Sequence, residues 1–237
     1  FKRIPAFYAE KGDAIVLQKN CPQHGDFVAK VWHTSVDFMQ WQRPKIYAPL
    51  PYAVNPVTNG CPFDCGLCQN HKQRSCTVLL EITQRCNLQC AVCFAHGSEP
   101  HEPALATIAQ WYQTAQKSNP NVNIQLSGGE PTMRDDLAEI IALGVANDIG
   151  FIQLNTNGLR LAQEPGFAAK LARAGLASVF LQFDGIDDDI YLKLRNQPLL
   201  EIKRKAIANC AKAGLGVVLV PTLVPGVNTH NIGEILH

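Results

Sequence analysis

The sequence lacks an excess of charge of either sign, a long apolar run and any low-complexity tract. Its 21 Lys and Arg stand against 20 Asp and Glu. The summed field therefore gives no reason to expect nucleic acid or an acidic membrane as the main partner, although a local basic patch and peripheral membrane contact stay open. No apolar segment approaches the roughly 20 residues that span a bilayer. The N-terminus has neither the basic nor the apolar region of a signal peptide. A cytoplasmic protein without a transmembrane segment is the expectation.

What is present is enough apolar residue to bury a core. The chain of 237 residues is 46% hydrophobic and 17% charged, which argues against disorder and for one barrel-sized domain or a small domain joined to a larger one. Nine cysteines would suit a disulfide scaffold in a short secreted chain. Here eight precede residue 94 and seven lie between Cys61 and Cys93, a clustering that favours metal. The chain opens on Phe1 and ends at His237 where a helical pattern begins, so a piece of a longer protein is expected.

From Thr77 onward, short apolar runs alternate with amphipathic stretches, the pattern of parallel strands covered by helices. Five strands are predicted, over Thr77–Ile82, Val122–Leu126, Phe151–Leu154, Ser178–Phe183 and Gly216–Pro221. Leu105, Ile108, Ala109 and Tyr112 lie at helical spacing, in a helix stopped by Asn119-Pro120-Asn121. Thr132 and Asp135 read as a capping box ahead of Leu137, Ile140 and Ile141. A partial α/β barrel of about five βα units follows for residues 77–237. Before it, residues 1–50 read as a hairpin region turning at Lys11-Gly12-Asp13, and residues 51–76 as an irregular Cys-rich segment.

The strongest chemical signal is Cys86-Asn87-Leu88-Gln89-Cys90-Ala91-Val92-Cys93, three thiols at C-x3-C-x2-C spacing directly after the first barrel strand. A cubane has four irons, usually held by four thiolates, so three ligands leave one iron open to an exogenous molecule. Structural zinc and a ferredoxin-type carrier are the alternatives, and each wants a fourth ligand. Ser127-Gly128-Gly129-Glu130-Pro131 follows the second strand. Paired glycines allow close backbone approach, there read as approach to a ligand, and Pro131 stiffens the exit into the next helix.

These two motifs resemble the radical S-adenosylmethionine (SAM) superfamily from Thr77 to the end. The resemblance implies a partial (β/α)6 barrel and a [4Fe-4S] cluster on Cys86, Cys90 and Cys93. It further implies SAM chelated to the free iron, and reductive cleavage to a 5′-deoxyadenosyl radical with electrons from a flavodoxin or ferredoxin. It also implies SAM contacts from Gly128, Gly129, Glu130 and Pro131. Asn155, Asn157, Gln182 and Asp184 close the next two strands, where barrel enzymes place their sites, but turn chemistry explains such residues equally well. Arg195 matches a place where family members keep an Arg near the SAM carboxylate, against the alternative of a solvated surface Arg.

A second triplet, Cys61, Cys65 and Cys68, repeats the spacing. It follows no barrel strand and has no Gly-Gly-Glu-Pro partner, whereas Cys76 is close enough in sequence to be a fourth ligand. An auxiliary [4Fe-4S] cluster is the expectation, with His71 in reserve and structural zinc as the alternative. Cys76 and Cys86 flank the first strand and should lie about 20 to 30 Å apart, so the two clusters are separate.

Cys21 and His24 in Cys-Pro-Gln-His-Gly read as half of a zinc-ribbon or rubredoxin-like site for zinc or mononuclear iron, its other half expected upstream of Phe1. Cys210, in line with Ile202, Ala206 and Ala213, reads as a packed core thiol. The order of these motifs resembles one subgroup, archaeal tetraether lipid synthases and related pterin methyltransferases. That resemblance implies carbon–carbon bond formation or methylation at an unactivated carbon of a lipid or pterin. The reading from a different class is a non-catalytic iron–sulfur or zinc scaffold that relays electrons or holds partners.

Overall fold

The computed structural model describes residues 4–41, 46, 48, 52–53, 55–60, 63–64, 66, 68–71, 73–93 and 102–236. The chain divides into two compact units, residues 1–47 and 48–237. The Cys-rich stretch expected as a segment of its own thus groups with the barrel strands.

In the first unit, β1 (Ala6–Lys11), β2 (Ala14–Cys21) and β3 (Gly25–Trp32) form an antiparallel sheet in sequence order, followed by α1 (Ser35–Trp41). The predicted hairpin turns at Gly12, whose φ of 60° suits glycine. A third strand was not foreseen. It starts at Gly25, with φ 79°, where the Cys21–Gly25 turn reverses the chain.

The second unit is built on β4 (Thr77–Thr83), β5 (Asn123–Gly128), β6 (Phe151–Thr156), β7 (Ser178–Gln182) and β8 (Gly216–Val220). All neighbours are parallel and the spatial order is the sequence order. This is the predicted α/β radical SAM-type partial barrel, with strand ends within two residues of expectation. The connections carry α2 (Leu105–Ser118), α3 (Leu137–Ala146), α4 (Leu159–Gln163), α5 (Phe167–Arg173), α6 (Asp188–Arg195) and α7 (Leu200–Lys212), with α8 (Ile232–Leu236) after β8. Among the described residues no helix is long and apolar enough to cross a membrane.

Period-two alternation decides which face is covered. Leu80, Ile82, Ile124, Leu126, Ile152, Leu154, Val179 and Leu181 are buried in one cluster with Ile108 and Tyr112 of α2, Ile140 and Ile141 of α3, Leu171 of α5, and Ala206 and Cys210 of α7. Tyr112 donates its hydroxyl to the Ile140 carbonyl at 3.1 Å, which satisfies the one polar atom it takes into the core. Burial pushes the Cys210 thiol up to about 11, as suits a packed core thiol. The residues between these apolar positions, Gln125, Ser127, Gln153, Asn155 and Gln182, line the opposite face.

The predicted capping box does not form. Pro131–Met133 makes a separate 3-10 turn, and α3 starts after Asp136 with no side-chain cap. The Thr132 hydroxyl donates to Glu130 instead, at 2.6 Å, and Asp135 is 99% exposed, 3.5 Å from Arg160.

Candidate active site

β4 feeds directly into the Cys86–Cys93 loop, whose three thiols are free. The residues between the cysteines are held from outside. The Asn157 amide donates to Asn87 Oδ1 at 2.7 Å and the Asn196 amide to the Gln89 carbonyl at 2.6 Å. The Ala91 N–H donates to the Leu194 carbonyl at 3.1 Å, and Arg195 Nη1 to the Val92 carbonyl at 3.1 Å. Asn196 reaches its place by ending α6 in the left-handed region, φ 59°, which Asn tolerates.

All four anchors come from the C-terminal ends of β6 and α6, and none uses a cysteine side chain. Burial pushes the Cys86 thiol up, the Leu88 N–H pulls it down, and Glu130, Cys90 and Cys93 push it up further. The three cysteines therefore share one electrostatic neighbourhood. Among the described residues no three His, Cys, Asp or Glu side chains converge into a ready metal-holding group. The donor set, three soft thiols on one pinned loop, fits an iron–sulfur cluster with an open iron.

The Gly128–Pro131 segment lies against the root of this loop. Gly128 has φ 126°, and a Cβ there would meet the Thr83 carbonyl oxygen at 2.0 Å; a Cβ on Gly129 would meet the Arg85 carbonyl oxygen at 2.4 Å. The close approach that makes both positions glycine is thus to the exit of β4. The Gly129 N–H donates to Thr83 O at 2.8 Å and the Glu130 N–H to Arg85 O at 2.7 Å. Glu130 is 1% exposed. Its carboxylate accepts from the Thr132 N–H (3.1 Å), the Thr132 and Thr156 hydroxyls (2.6 Å each) and the Asn157 N–H (2.7 Å). This one carboxylate locks the β5 exit to the β6 exit. Arg134, not singled out in the sequence, does similar work: it donates to the Ile82 and Pro103 carbonyls at 2.9 Å and forks onto Asp136.

Asp184 is fully buried, and Arg195 is neither a surface residue nor free. Arg195 Nε and Nη2 donate to the two Asp184 oxygens at 2.8 and 2.9 Å, Nη2 also to the Thr222 hydroxyl at 2.9 Å, and its guanidinium lies beside Cys90. Asp184 further accepts from the Thr222 N–H at 2.9 Å and from the Gln182 amide. On the open face, Asn155 Oδ1 is buried without a hydrogen-bond partner among the described residues, the state of an atom that awaits a ligand.

Lys203 of α7 was missed in the sequence. It is fully buried and donates to the Asn157 carbonyl at 2.5 Å and to Gln182 Oε1 at 3.1 Å. Its spacing to Ala206 and Cys210 puts it on the buried stripe of the helix, and a charge at that register was the available signal. Burial lowers its amine to about 8, against the pull of the Asp184 and Glu130 carboxylates. Below that pH the folded and unfolded chains are both charged and the folded chain bears the desolvation. Above it, up to the ordinary lysine value, only the unfolded chain keeps the proton, so stability rises with pH. The stability of the protein relative to a Lys203→Met variant is expected to increase by about 3 kcal/mol between about pH 7 and about pH 11. Denaturant midpoints of both proteins at the two pH values check this; a gap that stays constant refutes it.

Of the auxiliary set, Cys61 and Cys65 lie outside the described residues. Cys68 is buried at 4% exposure. Cys76 is exposed, with its carbonyl accepting from the Asn123 N–H at 2.9 Å at the N-terminal edge of the sheet. His71 donates its backbone N–H to the Cys68 carbonyl at 2.9 Å. In the first unit, Cys21 Sγ and His24 Nδ1 are 3.2 Å apart, held by the turn in which the His24 N–H donates to the Cys21 carbonyl.

Residues 80–237 match the sequence profile of the Radical SAM superfamily. The chain belongs to the radical SAM superfamily. Residues 1–33 match the HMPTM N-terminal zinc ribbon domain. The chain is 42% identical over 242 residues to 7,8-dihydro-6-hydroxymethylpterin dimethyltransferase of Methanocaldococcus jannaschii, covering 99% of the chain and 47% of that relative. It is 30% identical over 180 residues to GTP 3',8-cyclase of Paenarthrobacter nicotinovorans, covering 73% of the chain and 50% of that relative. The chain thus spans about half the length of these curated relatives.

Among solved structures, Streptococcus suis SuiB bound to S-adenosylmethionine aligns at TM-score 0.56 and 17% identity, over 68% of this chain and 37% of that one. Native anSMEcpe with bound AdoMet and Kp18Cys peptide aligns at TM-score 0.55 and 17% identity, over 67% and 48%. These two likenesses show the fold.

Proposed function

We propose that this chain is the SAM-cleaving core of a methyltransferase acting on a reduced pterin. The observation that carries the reading is the 42% identity over 99% of the chain to the pterin dimethyltransferase, which runs through the zinc-ribbon unit and the barrel alike. Neither curated relative named above is a lipid synthase, and carbon–carbon coupling of lipids has no comparable support.

Cys86, Cys90 and Cys93 hold the [4Fe-4S] cluster. When bound, that cluster supplies the electron that cleaves SAM reductively to a 5′-deoxyadenosyl radical. The chain's own residues fix where this happens. Glu130 and the paired glycines weld the β5 exit to the root of the cluster loop, and Asp184, Arg195 and Lys203 weld β7, α6 and α7 to its far end. Backbone groups of Gly128 to Pro131 and the Asn155 Oδ1, which has no hydrogen-bond partner among the described residues, then meet SAM from one side, while Asn157 and Gln182, whose amides are engaged with Asn87, Leu159, Asp184 and Lys203, hold that side in place. Asp184 and Arg195 act behind this layer by holding Val92 and Cys90. Cys21 and His24 contribute to a zinc site, and Cys61, Cys65, Cys68 and Cys76 to a second cluster at the other end of the sheet. The protein works in the cytoplasm with a flavodoxin or ferredoxin as reductant.

The test is anaerobic reconstitution followed by EPR with and without SAM, then turnover with reductant, 7,8-dihydro-6-hydroxymethylpterin and an isotopically labelled one-carbon donor, further SAM in one arm and a reduced-pterin-bound one-carbon unit in the other, because SAM cleaved to 5′-deoxyadenosine leaves its methyl group on methionine. The expected result is a [4Fe-4S] signal that changes on adding SAM, 5′-deoxyadenosine release, and pterin carrying one and then two added methyl groups. An unchanged spectrum with no cleavage leaves only the non-catalytic scaffold. Cleavage with unmodified pterin overturns the substrate.

A further inference from the structure

The face of the five-stranded sheet that the helices leave open carries an organised set of polar groups that no role described so far has absorbed. Register aligns them in rows across the strands. Glu81 of β4 lies opposite Ser127 of β5, and Leu79 of β4 opposite Gln125, which lies opposite Gln153 of β6 and then Ser178 of β7. The Gln125 amide nitrogen donates to Gln153 Oε1 at 3.2 Å, and the Gln153 nitrogen to the Ser178 hydroxyl at 2.9 Å. This amide ladder runs its donors towards β7 and leaves Gln125 Oε1 as the acceptor at the β4 side.

Beside it stands the exposed Glu81 carboxylate, which takes part in no hydrogen bond or ion pair among the described residues. The β4–β5 side of the face thus offers two acceptors, the Glu81 carboxylate and Gln125 Oε1, beside the Ser127 hydroxyl and the exposed Leu79 side chain. On the β7–β8 side the same face carries an apolar group between Ser178 and Gln182, with Phe180 half-buried and Val218 and Val220 exposed at 44% and 40%. A few directed polar groups against an apolar wall is the make-up of a small-molecule site. Glu81 is two residues from Thr83, whose carbonyl holds Gly129, so the acceptors stand immediately below the SAM-side loops.

We propose that this face is the substrate cradle, with the Glu81 carboxylate and Gln125 Oε1 taking the amino-pyrimidinone edge of a pterin. The inference rests on the pterin reading above and adds the residues that would enforce it. That edge presents a ring N–H and an exocyclic amine side by side, both donors. A carboxylate accepts two parallel hydrogen bonds from such a pair, as it does from a guanidinium. The other ring of the pterin, which carries the carbons to be methylated, then extends over β6 towards Phe180 of β7, the near edge of the apolar wall. A lipid chain offers no donors to this patch and would leave the acceptors desolvated and unpaired.

Fluorescence titration of the reconstituted protein with 7,8-dihydro-6-hydroxymethylpterin and with its 2,4-dioxo analogue, which replaces the amine by a carbonyl, tests the assignment. The wild type is expected to prefer the amino compound. Glu81→Gln is expected to bind that compound about 10- to 100-fold more weakly and to lose the preference, because a carboxamide donates to the carbonyl as readily as it accepts from the amine. The SAM-induced EPR change should be unaltered in the variant. Wild-type-like binding of both compounds by Glu81→Gln overturns the inference and leaves the pterin reading standing. Loss of the SAM-induced change reassigns Glu81 to SAM and also overturns it. A wild type that binds neither compound removes the pterin reading and the cradle together.

Discussion

Cys90→Ala is expected to reduce 5′-deoxyadenosine release to background while iron falls by about four per chain and zinc stays unchanged. Cys90 is the half-buried member of the loop triplet and the one beside the Arg195 guanidinium. Two remaining thiols at Cys86 and Cys93 cannot hold a cubane by themselves. The loop itself should survive, because its four anchors use Asn87, Gln89, Ala91 and Val92 and none of them uses the Cys90 side chain. Measured by chromatography of the nucleoside and by elemental analysis, retained cleavage would move the catalytic role to Cys61, Cys65 and Cys68, the triplet with the same spacing.

The sequence carried the scaffold further than it carried the reasons for particular residues. Strand positions were legible because Leu80, Ile82, Ile124, Leu126, Ile152 and Leu154 alternate with polar residues inside short runs, and a covered face requires that period. That a C-x3-C-x2-C triplet follows the first barrel strand was legible as well. The purpose of Gly128 and Gly129 was not. Spacing announces a close approach without saying to what, and the answer, the Thr83 and Arg85 carbonyls, depends on the parallel pairing of β4 with β5. The capping box failed for a similar reason. Thr132 had a competing acceptor in Glu130, and only the packing of β5 against β6 brings that carboxylate into reach of Thr132, Thr156 and Asn157 at once. Lys203 escaped because the apolar line through Ala206 and Cys210 continues equally well to Ile202, whereas the buried stripe continues to the charged neighbour, Lys203.

Asp184→Ala should be the most destabilising single substitution in the site, at about 3–5 kcal/mol, read as a fall in the thermal midpoint of about 10 °C or more. The carboxylate is 0% exposed and Arg195 5% exposed. Removing the acid leaves a buried guanidinium whose charge is uncompensated, a Thr222 N–H without its acceptor and a Gln182 amide without its own. The damage should reach the cluster loop, since Arg195 is what donates to the Val92 carbonyl. Cluster loading is therefore expected to drop with stability.

The double variant Asp184→Ala with Arg195→Met separates this account from a direct role in SAM binding. Taking away the stranded charge should recover part of the lost stability, because a buried ion pair replaced whole is far less costly than one broken in half. If Asp184 served chiefly as a SAM contact, Asp184→Ala would weaken SAM binding with little change in the midpoint, and the second substitution would rescue nothing. The two carboxylates buried at this end of the sheet would then divide the work: Glu130 would hold the barrel exits together, and Asp184 would hold the cofactor. The geometry favours the other division. Both carboxylates have their oxygens occupied by the chain itself, so the groups left to meet ligands are backbone atoms, Asn155 and the open-face acceptors.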